Sequence, residues 1–360
     1  MKRIIGANLA IGLLLLCSSG CGDEEPEKIA LLLPGNLAHS HEVDIRVAFE
    51  ATVVDVCDTC QVLYDNAKGS IPRQERQAAA TVEQGADVLV LRPVEEEYAD
   101  DTVRKANAAG VPTVDYDSLL LDAKPAVFVS YSDVRTGELQ AEALAKKLQA
   151  RQRPNGPIVM VNGEPGNRNQ HLLKRGAHEA FERAGVKVAD ESFTPFWLPE
   201  RARENMEAAI ATLGRRGFSG VYAEGDAIAQ GAIEALRSAH IDPATMSITG
   251  RNATLPGLRR ILLGTQYMTT YNPIEPEATV AAKLAVALAR GEGVDRKSIN
   301  AKRDNRAARV PSVLLDPVVV TKANLKQTVL ADGYVSAAKL CAGEVAAACR
   351  AAGIAPAGLS

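Results

Sequence analysis

Short apolar runs alternate with helix-periodic stretches along nearly the whole chain, and no other property of the sequence restricts the fold as tightly. In the first half, strands are expected at Lys28–Leu33, Gln61–Tyr64, Asp87–Arg92, Val111–Tyr116 and Ala126–Val129. Helical stretches over Val43–Val56, Ser70–Gly85 and Tyr98–Ala109 separate them, with Asn36–Asp44 a polar loop. Ser70 is a natural N-cap followed by Pro72 in the first turn, and Gly85 and Gly110 are natural helix ends. The scheme then repeats. Strands are expected at Pro157–Val161, Val186–Ala189, Gly220–Ala223, Ser247–Gly250 and Gln266–Tyr271. Their helices fall over Asn169–Ala184, Glu200–Leu213, Ala227–Ala239, Leu255–Leu263 and Ile274–Arg290. Arg309–Val320 reads as extended and Lys322–Val329 as a last helix.

Strands separated by helices of about 10–15 residues make βαβ units and parallel sheets, so the fold class is α/β with two doubly wound lobes. Ala126–Leu148 is where one lobe passes to the other: an apolar strand, turn residues Tyr131-Ser132-Asp133, and an amphipathic helix from Gly137 onward. At 360 residues the chain has length for both lobes. Right-handed crossovers place every strand-to-helix loop at one edge of its sheet, and ligands bind at that edge.

The N-terminus is a different kind of segment. Lys2-Arg3 precede an apolar run, Ile4–Leu16, that is too short for a membrane span, and Ser18-Ser19-Gly20 lead to Cys21. This is an export signal. A cysteine directly after small residues resembles the bacterial lipoprotein signal, which implies lipidation at Cys21, removal of residues 1–20 and a polar tether over 21–27. An ordinary cleaved signal is the alternative. Cys17 leaves with the signal. Cys57 and Cys60 form one close pair, Cys341 and Cys349 another, as expected of local disulfides in an exported chain. Cys57-Asp-Thr-Cys60 also admits a redox or metal role, but it lies between a helix and a strand, where no helix N-terminus activates a thiolate.

The net charge of −3 and the absence of a Lys/Arg run give no reason to expect a nucleic-acid partner. Polar residues stand where the fold expects ligand. They are His39-Ser40-His41 and Asp44, then Asp115, Asp117 and Ser118, then Asp133. In the second half come Asn167, Arg168 and Asn169, Trp197 (the only tryptophan), Glu224 and Asp226, Arg251 and Asn252, and Asn272. Carboxylates, amides and guanidinium groups are multidentate partners for vicinal hydroxyls, and an aromatic face covers the C–H side of a sugar ring. Singly, each of these residues caps helices in any α/β protein. As a set they describe a polyol pocket.

Five stretches carry a family resemblance: residues 73–94, 129–144, 196–202 (FWLPERA), 224–236 (EGDAIAQGAIEAL) and 248–274 (ITGRNATLPGLRRILLGTQYMTTYNPI). With them the chain resembles the type 1 periplasmic sugar-binding proteins of ABC transporters, in particular their D-xylose-binding members. The resemblance implies two lobes joined by three hinge strands, near Val129–Ser132, Thr270–Pro273 and Val310–Ser312. It assigns 28–130 with 273–309 to the first lobe, 131–272 with 310–345 to the second, and 346–360 to a tail. It implies a monomer that delivers a monosaccharide, polyol or sugar acid to a permease, touches the membrane only through its lipid, and needs no cofactor. Asp117, Asn169, Trp197 and Asp226 match positions that hold ligand in the xylose-binding members. Other positions depart. Ser40-His41 stand for Arg-Trp, Ser118 for Arg, Arg168 for Asn, Arg251 for Gln, Asn252 for Asp and Asn272 for Lys. A site of buried hydrogen bonds discriminates strongly when partners change, so the ligand is expected to differ from xylose.

Three other classes were weighed. His39, His41 and Asp44 form the beginning of a zinc site for a metal-dependent enzyme, but no fourth ligand clusters with them in sequence. A sugar-responsive repressor carries a DNA-binding segment before its first strand, where this chain has an export signal. A sensory receptor for a chemotaxis or kinase partner uses the same fold and surface as a transport protein.

Overall fold

The computed structural model describes residues 25–35, 39–153 and 156–354, without the side chains of His39 and Ser40. The export signal and Cys21 lie outside the described residues. In the first half, β1 (Lys28–Leu33), α1 (His39–Val56), β2 (Gln61–Asn66), α2 (Ile71–Glu83), β3 (Val88–Leu91), α3 (Asp100–Ala108), β4 (Thr113–Tyr116) and β5 (Val127–Tyr131) follow in order. The second half runs α4 (Asp133–Ala150), β6 (Ile158–Asn162), α5 (Arg168–Ala184), β7 (Val188–Phe193), α6 (Pro199–Leu213) and β8 (Gly220–Ala223). It continues through α7 (Asp226–Ser238), β9 (Ser247–Ile248), α8 (Leu255–Leu263) and β10 (Met268–Tyr271). Then come α9 (Ile274–Ala289), β11 (Ala301–Asp304), β12 (Arg309–Leu315), β13 (Val318–Thr321), α10 (Ala337–Leu340) and α11 (Ala346–Ala351).

Each lobe is a sheet covered on both faces. The first has strand order β11-β12-β5-β4-β3-β1-β2 and the second β7-β6-β8-β9. All neighbours are parallel except β11 with β12. The inner strands β1, β3, β5, β6 and β8 are largely apolar because alternate residues enter opposite cores. Ile29, Leu31 and Leu33 pack with α1 and α9, while Ala30 and Leu32 pack with α2 and α3. In the second lobe Val159 and Val161 face α6 and α7, and Ile158 and Met160 face α4 and α5. Each fully buried Leu of these layers contributes about 1.5–3 kcal/mol over an exposed one.

Helix pairs in the second lobe approach through glycine. A Cβ on Gly137 of α4 would enter the Leu173 carbonyl of α5, and one on Gly176 of α5 would enter the Val134 carbonyl of α4. Gly231 of α7 meets the Pro199 carbonyl of α6 in the same way.

Three connections join the lobes. β5 leads into α4 at Ser132, whose Oγ accepts from the Arg135 N–H as a true N-cap. The helix thus begins at Asp133, four residues before Gly137, because the cap satisfies its first turn. β10 leads into α9 through Asn272-Pro273, and Tyr131 Oη donates to the Pro273 carbonyl at 2.6 Å, tying these two crossings together. The third crossing differs from the expectation near Val310–Ser312. β12 pairs with β5 from Ser312↔Phe128 to Leu315↔Tyr131, so residues 310–315 belong to the first sheet. Only at Asp316-Pro317, where proline cannot continue the ladder, does the chain leave for β13 and its antiparallel partner β10.

Two further expectations are corrected. Lys322–Val329 is not a helix: a 3-10 turn at Leu325–Gln327 is all that forms, because Asn324 bonds the Thr321 N–H and the Val319 carbonyl and holds a turn there. The described part of the expected tail, residues 346–354, is packed on the second lobe and not separate from it: Val345, Cys349 and Ile354 share one cluster with Leu258, Ile261 and Val320. The sulfurs of Cys57 and Cys60 are joined, as are those of Cys341 and Cys349.

Candidate ligand-binding cleft

The carboxyl ends of the two sheets face each other across a cavity of 480 Å3. Its first-lobe wall is built from Glu96 and Glu97 after β3 and from Asp117 and Ser118 after β4. Opposite stand Asp133 at the start of α4, Asn167, Arg168 and Asn169 at the start of α5, and Arg251 after β9. Phe128, Ser130 and Tyr131 of β5, Asn272 of the second crossing and Arg303 of β11 complete it. Eight residues expected from sequence therefore meet here: Asp117, Ser118, Asp133, Asn167, Arg168, Asn169, Arg251 and Asn272.

Asp117 is held from several sides. Its backbone is left-handed, φ 66°, a conformation Asp tolerates better than most residues. Its N–H donates to the Val129 carbonyl at 2.8 Å, and Ser130 Oγ donates to its carbonyl at 3.0 Å. Its carboxylate pairs with the guanidinium of Arg92. Behind it lies Glu277 of α9, whose Oε1 is buried without a partner. Burial, and then the neighbouring Asp117 charge, holds that carboxyl well above the usual range. Asp115 is likewise buried and raised by desolvation, and it accepts the Leu120 N–H at 2.7 Å as a brace beneath the turn.

On the second wall, burial pushes Asp133 up to about 6 against the opposing pull of Arg251 and Arg303. Glu224 lies under Arg251, where burial raises its carboxyl to about 7 despite the Gly163 N–H that donates to it. Glu96 is also raised, by burial and then by Asp117. A carboxyl raised on folding favours the native state at low pH. For Glu224 that contribution is complete below its ordinary 4.5 and is lost as pH rises through about 7. At about 1.36 kcal/mol per pH unit the loss is on the order of 3 kcal/mol. Glu224→Gln keeps the acceptor for Gly163 and removes the charge, so it stabilises the protein in urea at about pH 8 and flattens the decline from pH 5. An unchanged slope would show that Glu224 is not the group responsible.

Besides Asp115 and Glu224, five further expected residues lie outside this lining. Asp226 is a structural acid: Oδ2 accepts from the Thr254 N–H at 2.8 Å and from Thr254 Oγ1 at 2.9 Å, and Oδ1 accepts from Gln266 Nε2 at 2.7 Å. Gly250 and Gly257 close over its carboxylate, leaving no room for ligand. Trp197 sits behind the wall, its ring against Gly163, with the Arg251 guanidinium 5.2 Å from the ring centre. Asn252 lines a small adjoining hollow that shares Arg251 and Asn272 with the main cavity. His41 and Asp44 are on α1, which starts at His39, within the stretch expected as loop. His41 stacks on Tyr334, ring centres 4.8 Å apart, and Asp44 borders an outer groove with Tyr271, Asp332 and Tyr334. Glu96, Glu97 and Arg303 were not expected. The two glutamates follow β3 at the ligand edge, a position that signals them, whereas Arg303 lies on a charged strand that resembles loop.

The paired cysteines are remote from this chemistry. Cys57 and Cys60 lie at the amino edge of the first sheet, and Glu27 Oε2 is 3.9 and 3.7 Å from their sulfurs. These three are the one His/Cys/Asp/Glu group of metal-binding compactness among the described residues, and its sulfurs are bonded to each other.

A family model for the periplasmic binding protein domain matches residues 29–293. The D-xylose-binding periplasmic protein of Escherichia coli K12 is 32% identical over 339 residues, covering 89% of this chain and 96% of that one. Its namesake from Haemophilus influenzae is 31% identical over 278 residues, with 76% and 81% covered. In fold, the periplasmic ribose ABC transporter structure from Conexibacter woesei superposes with a TM-score of 0.69 at 19% identity, covering 84% of this chain and 94% of that one.

Proposed function

The chain belongs to the periplasmic binding proteins, solute-binding proteins and not enzymes, and from that premise we propose that it captures a monosaccharide or related polyol and delivers it to an ABC importer. The observation that carries this reading is the cavity between the lobes, polar on both walls and within the ~300–1,000 Å3 usual for small-molecule sites. Ligand contacts drawn from both walls exist only when the lobes close on it. Differential affinity then shifts the open–closed equilibrium toward the closed form, which presents both lobes to the permease. Asp117, Ser118 and Asn169 supply hydroxyl partners, and cationic Arg92 fixes the Asp117 carboxylate as an acceptor.

The relatives are periplasmic by name, and residues 1–20 carry the export signal that placement requires. In this reading Cys21 becomes the lipidated first residue, the monomer is tethered through that lipid, and both cysteine pairs are oxidised after export. No helix of the described residues is long and apolar enough to cross a membrane. Mass spectrometry of the mature N-terminus checks the lipid, and a thiol titration of the unfolded protein checks the pairs.

A thermal-shift panel of pentoses, hexoses, inositols, alditols and sugar acids tests the ligand class. A ligand at one hundred times its Kd stabilises the fold by about 2.7 kcal/mol, a shift of several degrees. If no member of the panel moves the transition, the cleft does not take carbohydrate.

A further inference from the structure

Three guanidinium groups line the cleft, each from a different element: Arg168 opens α5, Arg251 follows β9 and Arg303 lies on β11. Among the described residues none of the three pairs with a carboxylate at salt-bridge distance. Arg251 spends only its Nε, on the Glu224 carbonyl at 3.3 Å. Arg303 is half-buried and held below its ordinary range, first by desolvation and then, against the pull of Asp133, by the positive charges of Arg168 and Arg175. The turn after β4 is different in kind. There the Asp117 carboxylate already has Arg92 as its counter-charge.

We propose that the ligand is a sugar acid, its carboxylate received by Arg251 and Arg303 with Arg168 beside them, and its hydroxyls by Asp117, Ser118 and Asn169. This rests on the reading of the cleft as a carbohydrate site and narrows it. Guanidinium forks match the planar carboxylate and form paired, charge-assisted hydrogen bonds with it. The positive end of the α5 dipole adds to the attraction. Asp133, Glu96 and Glu97 share the cavity with the arginines and oppose the second negative charge of a phosphate.

Calorimetric titration of the exported chain at low salt decides the matter, using glucuronate, galacturonate and xylonate against glucose, galactose and xylose. The expected result is that one acid binds at least tenfold tighter than its neutral counterpart. Arg251→Gln and Arg303→Gln should each cut that ratio at least fivefold, and circular dichroism should show both variants folded. A salt titration should weaken the acid more than the neutral sugar. Neutral sugars binding as tightly as the acids would overturn the proposal and leave the carbohydrate reading standing. Glucose 6-phosphate outcompeting every carboxylate would overturn the assignment of a single charge. Failure of acids and neutral sugars alike would overturn the carbohydrate reading itself.

Discussion

Asp117→Asn lowers the affinity for the bound sugar at least ~100-fold while the unliganded protein stays folded. The substitution turns one acceptor of the carboxylate into a donor, so a sugar hydroxyl that gave its proton to Asp117 now meets an N–H. Mismatching a charged hydrogen-bond partner inside a closed cleft costs about 2–5 kcal/mol. The fold tolerates the change for two reasons. Asn adopts the left-handed backbone found at this position, φ 66°, as readily as Asp. Asn Oδ1 still accepts a hydrogen bond from the largely buried Arg92 guanidinium, which is therefore not left without a partner. Ala is the less informative replacement, because at positive φ it adds strain of about 1–2 kcal/mol to the unliganded protein. Calorimetry with chemical denaturation of the same sample separates the two effects. Weakened folding with undiminished affinity would make Asp117 a structural turn residue.

The largest effect on stability is expected where α4 and α5 touch. Gly137 and Gly176 each meet a carbonyl of the other helix where a Cβ would have to sit, so alanine at either position forces the helices apart. Overpacking of this kind costs about 1–3 kcal/mol, and Gly176→Leu more. Because one separation of the helices relieves both clashes, Gly137→Ala with Gly176→Ala should cost less than the sum of the two. Urea midpoints of the two single variants and the double one measure this. Strict additivity, or single costs below about 0.5 kcal/mol, would mean that the close approach carries no stability.

Much of this architecture can be read from the chain because parallel sheets are covered on both faces. Gly220–Ala223 and Leu255–Leu263 form over the stretches their apolar patterns mark. The site follows from the same geometry. Asp117, Asp133, Arg168 and Arg251 could be named before the fold was known, since crossovers bring the residues after each strand to one edge. The failures also have physical causes. β11 reads Ala-Lys-Arg-Asp with alternate residues exposed, an edge-strand pattern indistinguishable in sequence from a loop, and Arg303 was lost with it. The third crossing lies later than its sequence suggests because nothing in Arg309–Leu315 announces how far its ladder with β5 extends. Asp226 has the residue type and the place of a ligand acid. Only the fold shows that Thr254 and Gln266 use its oxygens and that glycines at 250 and 257 let the backbone close around it.

One tryptophan in 360 residues makes the decisive measurement simple. Trp197 lies beneath Arg251, whose guanidinium is 5.2 Å from the ring centre, so its emission reports on the wall that ligand must engage. Titrating the best carbohydrate of the thermal panel should change that emission saturably, with one site per chain, and Asp117→Asn on the opposite wall should remove the change at concentrations that saturate the unaltered protein. Calorimetric binding that leaves Trp197 emission untouched and survives Asp117→Asn would place the ligand outside the cleft and contradict the account.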